Sequence, residues 1–190
     1  TLGQWQPTDL ARRRAYLPQH QSDAFGLSVL QTVLLGRFAH GGSWDSDADL
    51  ALAQAAMRQM DVETLAQRDI RSLSGGERQR VALAMVLAQA TPLLLLDEPS
   101  NHLDLAHQLA LVQQLRQWQQ SGPHAALVVL HDLNLALRLA SHVLLLMPDG
   151  SWQAGPVATV ISAASLQACL NQAFEPLQYA GRQLWLALDN

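Results

Sequence analysis

The sequence predicts an α/β fold: a mostly parallel sheet flanked by helices, with an added helical subdomain. Three observations predict it. Leu93-Leu94-Leu95-Leu96 is a short continuous apolar run ending in Asp97-Glu98-Pro99. Such a run fits a parallel strand covered on both faces, with its C-terminal end opening where ligands bind in α/β sheets. Ala125 to Leu130 read as a second buried strand, also Leu/Val-rich, which ends in His131-Asp132. Helix-length segments lie around both runs, notably Glu77 to Ala90 and Leu105 to Gln120.

Composition narrows the function classes. The 190 residues are enough for one domain with a real core, and at 49% apolar the chain is expected to fold. A net charge of −4 argues against a broad nucleic-acid surface, although Arg12-Arg13-Arg14 form a local basic cluster. Cys169 is the one cysteine, so no internal disulfide can form, and a small packed side chain is its simplest reading. No apolar run reaches the length of a membrane span, and the first residues do not resemble a signal peptide. All twelve basic Lys/Arg residues are arginine. A phosphate-binding G-x-x-x-x-G-K-[ST] loop is therefore not encoded in these residues.

In chain order, Leu10 to Tyr16 read as a short basic helix capped by Thr8 or Asp9, and Ala15 to Leu17 as a short strand running into Pro18-Gln19. Leu27 to Leu35 read as a helix, and Gly41 to Asp45 as a loop. Arg37 and His40 are weighed evenly between a solvated loop and a partner contact. Ser46 is positioned to cap a helix through Met60, with Asp49 in the capping-box position and Leu50, Ala53, Met57 and Met60 inward. A second short helix is expected from Asp61 to about Gln67. Leu105 to Gln120 read as an amphipathic helix with Leu105, Leu109, Val112 and Leu115 inward, stopped by Gly122-Pro123. Asp132 to Ala140 read as helical, and Val143 to Met147 with Ser151 to Ala154 as a hairpin about Pro148-Asp149-Gly150. Ser162 is expected to cap a last helix through Phe174, before a terminal hairpin about Ala180-Gly181.

The chemistry concentrates between Leu73 and Asp104. Ser74-Gly75-Gly76 precede a helix, and a helix N-terminus offers free N–H donors and a partial positive charge to a phosphate. By itself Ser-Gly-Gly is an ordinary loop. Asp97 and Glu98 leave the end of an apolar strand, where one carboxylate can hold Mg²⁺ through water and the other can polarise a water for attack. By itself this pair is a solvated acidic turn. The remaining histidines lack metal-site spacing.

In this order, Leu73-Ser74-Gly75-Gly76-Glu77, the leucine strand with Asp97-Glu98-Pro99, and Ser100-Asn101-His102-Leu103-Asp104 resemble the ATPase domain of ABC transporters: signature loop, Walker B strand and D-loop. The resemblance runs over nearly the whole chain. It implies a P-loop NTPase-like fold, with residues 27–90 as the helical subdomain and 1–26 with 91–190 as the rest of a single partial domain. It also implies a missing N-terminal part, comprising the adenine-stacking aromatic, the β-subdomain and the P-loop. It assigns Glu98 to activating the attacking water, Asp97 to Mg²⁺, Gln19 to a Q-loop sensing nucleotide and Mg²⁺, and His131 to the γ-phosphate. Ser74, Gly75, Gly76 and Glu77 would meet ATP held by a second subunit, with Asp104 across that dimer interface. Leu35-Gly36-Arg37-Phe38-Ala39-His40 is similar to importer ATPases for iron–siderophore, haem and cobalamin substrates, although the family usually has proline at Ala39. Met85 stands where many relatives carry arginine, and cobalamin importers sometimes depart from arginine there too.

The expected partners are therefore a second ATPase subunit, membrane permease subunits and, indirectly, a substrate-binding protein, with no nucleic acid. The expected place is the cytoplasmic side of the membrane. The missing lysine keeps open a non-catalytic half-site, and a soluble ABC-family ATPase is the other alternative. Chromosome and DNA-repair ATPases place a long coiled coil before the signature, and no sustained heptads occur here. Loss of the strand leading to the P-loop is expected to leave an open edge beside Leu93 to Leu96, inviting rearrangement, strand exchange or association.

Overall fold

The computed structural model describes residues 2–20, 26–41 and 46–188. Most of the loop expected over Gly41 to Asp45 lies outside them. The chain divides into two compact units, Thr1–Leu130 and His131–Asn190.

The first unit holds a three-stranded parallel sheet ordered β1 (Arg14–Leu17), β2 (Leu93–Asp97), β3 (Ala125–Val129). The register sets Leu17 beside Leu96, and Leu96 beside Val128. All three strands therefore end at one rim, and the residues that follow β1 and β2 leave from it.

Two expectations about this sheet are corrected. β2 is the central strand, paired on both sides, so among the described residues the edges of this sheet are β1 and β3 and not the Leu93–Leu96 strand. β3 is not a buried strand, since Leu127 and Val129 are 58% and 50% exposed. In β2 only Leu94 and Leu96 are buried, while Leu93 and Leu95 are partly open. An apolar run reports that faces are meant to be covered, but the cover on a given face comes from elsewhere in the chain.

The helical part is built on α4 (Gly75–Ala88). Val81, Ala82, Leu83, Ala84, Val86 and Ala88 are all buried, so apolar residues encircle most of the helix rather than forming one stripe, and Met85 is only partly covered. Burial of a Val- or Leu-sized side chain is worth about 1.5–3 kcal/mol, which makes α4 the chief organiser of this unit. Around it lie α2 (Val29–Leu35), started by a Ser28/Gln31 capping box, and α3 (Asp47–Gln59), capped by Ser46. Ala53, Met57 and Met60 point inward as expected.

The solvated-loop reading does not hold for Arg37, and both Arg37 and His40 have structural partners. Arg37 is buried and ion-paired with Asp49 at 2.7 Å, and its Nη1 donates to the Ala88 and Gln89 carbonyls at 2.9 and 3.3 Å. His40 Nε2 lies 2.8 Å from the same Gln89 carbonyl. Together they satisfy the orphan carbonyls at the C-terminal end of α4. Asp49 sits at the capping-box position, but its carboxylate is spent on Arg37, so the box at Ser46 is only half made. Gly36 is required by the same closeness, because a Cβ there would run into the Met85 carbonyl.

Other boundaries shift. The first helix is only α1 (Pro7–Ala11), which holds no arginine; Gln6 takes its N-cap position without a side-chain cap, and the chain is already a strand by Arg14. Asp61 to Gln67 contain only a 3₁₀ turn, Glu63–Leu65. In α5 (Leu105–Gln120), Leu111, Val112 and Leu115 are buried, while Leu105 is 70% exposed and Leu109 partly so.

The second unit contains α6 (Leu133–Leu139), the hairpin β4 (His142–Leu146) with β5 (Trp152–Pro156), the short α7 (Val157–Val160), α8 (Ala163–Leu170), and the hairpin β6 (Phe174–Tyr179) with β7 (Arg182–Ala187). Both hairpins match expectation. α8 starts at Ser162 but stops at Asn171, which takes the left-handed conformation at φ 52° and closes the helix four residues early. Cys169 is partly buried, and its Sγ reaches the Leu146 carbonyl at 3.3 Å.

Breaking the Arg37–Asp49 pair strands a buried guanidinium, which costs about 3–5 kcal/mol. Asp49→Ala should therefore lower the urea midpoint sharply. Arg58→Ala, which breaks the exposed pair to Glu63, should change stability by about 1 kcal/mol or less. Equal effects from the two would show that Arg37 does not anchor α4.

Candidate functional site

The start of α4 is held by its own side chains. Ser74 is the N-cap: its Oγ accepts from the Glu77 N–H at 3.3 Å, and its own N–H donates to Glu77 Oε2 at 2.7 Å. This reciprocal box uses two amides and leaves those of Gly75 and Gly76 as the first-turn donors outside it. The Ser74 backbone N–H holds the Glu77 carboxyl below its ordinary value.

Gly75 and Gly76 lie inside the first turn of α4, not ahead of it. Their absent side chains make room for the loop Ser100–Asp104. A Cβ on Gly76 would stand 2.8 Å from the His102 carbonyl oxygen, whereas one on Gly75 would make ordinary contact with the His102 ring at 3.5 Å. Gln79, one turn along, donates to the Pro99 carbonyl at 3.0 Å.

Asp97 ends β2 half-buried, and Glu98 follows at 8% exposure. Glu98 holds a left-handed φ of 49°, and His102 one of 62°. Non-glycine residues rarely adopt this conformation, at a cost of order 1 kcal/mol or more each. The Glu98 N–H donates to the Val129 carbonyl at 3.1 Å, fixing the turn against β3, and Asn101 Nδ2 donates to Glu98 Oε2. Asp104 caps α5, accepting from the His107 N–H at 2.9 Å. That amide, then the His107 ring, hold its carboxyl below the usual range.

The strand register brings Gln19 to the same rim as Asp97 and Glu98, since it lies two residues beyond Leu17 as Glu98 lies two beyond Leu96. Gln19 is exposed. His131 opens the second unit, is exposed, and precedes Asp132, the N-cap of α6. Within the first unit the structure thus gathers Ser74, Gly75, Gly76 and Glu77 at one helix start, against the loop that joins Glu98 to Asp104.

Sequence reasoning missed Asn101, Gln79, Arg80 and the packing role of His102. Only spacing could have found them: Gln79 and Arg80 lie one turn into α4, and Asn101 three residues past Glu98. Asp97 and Glu98 supply hard oxygen donors suited to Mg²⁺. Among the described residues no cluster of three or more His, Cys, Asp or Glu could hold a metal ion, so the donor set fits only an ion that keeps other ligands.

The first unit is thus an α/β arrangement in which the central strand of a parallel sheet ends in Asp97-Glu98 and the loop that follows packs on a capped helix start. Residues 2–101 match the ABC transporter family, and the chain belongs to it. It is 45% identical over 168 residues to the hemin import ATP-binding protein of Myxococcus xanthus, covering 85% of this chain and 62% of that one. It is 38% identical over 161 residues to the cobalamin import ATP-binding protein of Halobacterium salinarum, covering 85% and 40%. A solved ABC transporter described as of metal-chelate type, in an inward-facing conformation, aligns with TM-score 0.81 at 28% identity, over 93% of this chain and 73% of that one. The chain spans about six-tenths or less of the length of these curated relatives.

Two outcomes are expected at the helix start. Gly75→Ala should be neutral or stabilising by up to about 1 kcal/mol, as alanine in a helix normally is. Gly76→Ala should destabilise by about 1–3 kcal/mol, because the His102 backbone must move. Equal effects in chemical denaturation would refute the close approach. The capping box carries a pH signature. The Glu77 pKa is depressed on folding, so its contribution is present above the ordinary glutamate range and is lost as pH falls through the folded value. Glu77→Gln keeps the box without the charge, so its stability should fall below wild type at neutral pH and converge with it in acid.

Proposed function

We propose that the chain acts in the ATP-binding, ATP-hydrolysing subunit of an importer for haem, another iron chelate or cobalamin. The observation that carries this reading is the union of Glu98, buried in a strained turn, with a loop seated directly on the signature helix. The names of the relatives supply the cargo classes.

In this reading Glu98 is the general base. Its carboxylate accepts a proton from the attacking water, and the strained turn with the Asn101 hydrogen bond holds it in place. Asp97 supplies oxygen to the shell of Mg²⁺, which when bound would screen the phosphate charge. Gln19 leaves the same rim to sense nucleotide and metal, and His131 meets the γ-phosphate. The start of α4, with Ser74, Gly75 and Gly76, presents amides to ATP held by a second subunit, and Glu77 keeps that start ordered. Asp104 lies across the interface. Permease subunits dock from the membrane side, the chain sits at the cytoplasmic face, and a substrate-binding protein delivers cargo to the assembly. No helix of the described residues is long and apolar enough to cross a membrane.

The absence of lysine favours one second reading. By itself this stretch is half of a site, and the phosphate cradle comes from outside these residues.

Calorimetric titration of this chain with Mg-ATP should show no saturable binding at millimolar nucleotide, and its background ATPase rate should not change with Glu98→Gln. A rate that falls with that substitution would contradict the half-site reading.

A further inference from the structure

Arg80, on α4, and His107, on α5, are joined by a hydrogen bond whose chemistry allows only one direction. A guanidinium has N–H donors and no acceptor. Arg80 Nη1 lies 2.8 Å from His107 Nε2, so that nitrogen must present its lone pair. The ring is then neutral with its proton on Nδ1, and Nδ1 lies 2.8 Å from Asp104 Oδ1, the acceptor it requires. Both ends of the imidazole are thereby specified.

The setting is built for this. The Arg80 side chain is 14% exposed, and its Nη1 also reaches the Asp61 carbonyl and carboxylate, each at 3.2 Å. The charged groups facing His107 are Arg80 from α4, Asp61 from the turn after α3 by way of Arg80, and Asp104 from its own helix start. Glu77 lies one turn back on α4.

We infer that His107 is a positioning residue that ties the loop Ser100–Asp104 to the signature helix through a bridge existing only while its ring is neutral. A second proton would go to Nε2 and face a guanidinium that can only donate. The Arg80–His107 bond would then be lost, Arg80 would keep Asp61, and the charged ring would keep Asp104. The start of α5 would come away from α4, and with it the far end of the loop whose near end holds Glu98 through Asn101. The catalytic sense of this bridge rests on the ATPase reading above, but the bridge itself does not.

The test is NMR on the ¹⁵N-labelled chain without nucleotide, so its failure is separate from failure of the ATPase reading. Near neutral pH the long-range ¹H–¹⁵N pattern of His107 should show a protonated Nδ1 and a bare Nε2. On acidification, solvent exchange of the Arg80 guanidinium protons should rise about tenfold in step with His107 protonation, as expected for loss of a charge-assisted hydrogen bond. In His107→Gln, whose amide oxygen can accept from Arg80 without titrating, that exchange should stay slow across the range. A ring protonated on Nε2 at neutral pH, or Arg80 exchange that ignores the ring's titration, would overturn the inference.

Discussion

The carbonyls of Ala88 and Gln89 end a helix whose last turn is largely shut away from water, and much of the first unit is arranged around satisfying them. Unpaired, they would each cost on the order of 1–3 kcal/mol. Arg37 and His40 reach them from the segment after α2, and burying Arg37 in turn requires Asp49 at the start of α3. The Gln89 side chain extends the arrangement by donating to the Ala11 and Arg14 carbonyls at 2.6 and 3.1 Å. One helix end therefore ties together α1, α2, α3 and the strand that leads to Gln19.

Fixing one end of α4 fixes the other. Its start is rigid through the Ser74–Glu77 box and is then used as a floor. The His102 carbonyl rests where Gly76 has no side chain, Gln79 holds the Pro99 carbonyl, and Arg80 reaches His107. The loop after β2 is thus clamped along its length, which is how Glu98 and His102 can persist in left-handed conformations. The residues proposed for chemistry are held by the helix proposed to meet phosphate.

Much of this was legible in the sequence. Ser46 and Ser162 announce helix starts through side chains that cap locally, and Pro148-Asp149-Gly150 announce the β4–β5 turn, because those signals act over a few residues. The strand β2 and the parallel class follow from its leucines. What was not legible depends on distant parts of the chain. Arg37 looks like a loop residue until the carbonyls of a helix some fifty positions later arrive beside it. Leu105 and Leu109 fit an inward stripe, yet nothing among the described residues covers Leu105. The Leu93–Leu96 strand is central and not an edge because strand order is set by crossovers that periodicity does not report. The candidate site was legible as a set of residues; its internal wiring through Asn101, His102 and Arg80 was not.

Native-state hydrogen exchange is the most direct test of α4 as the element on which the rest is fixed. The account expects the amides of Val81 to Val86 to exchange only through global unfolding, with the same free energy as Leu94 and Leu96 in β2, while the amides of Asn101 and His102 open more readily. Exchange of α4 through a partial opening that leaves β2 protected would contradict it.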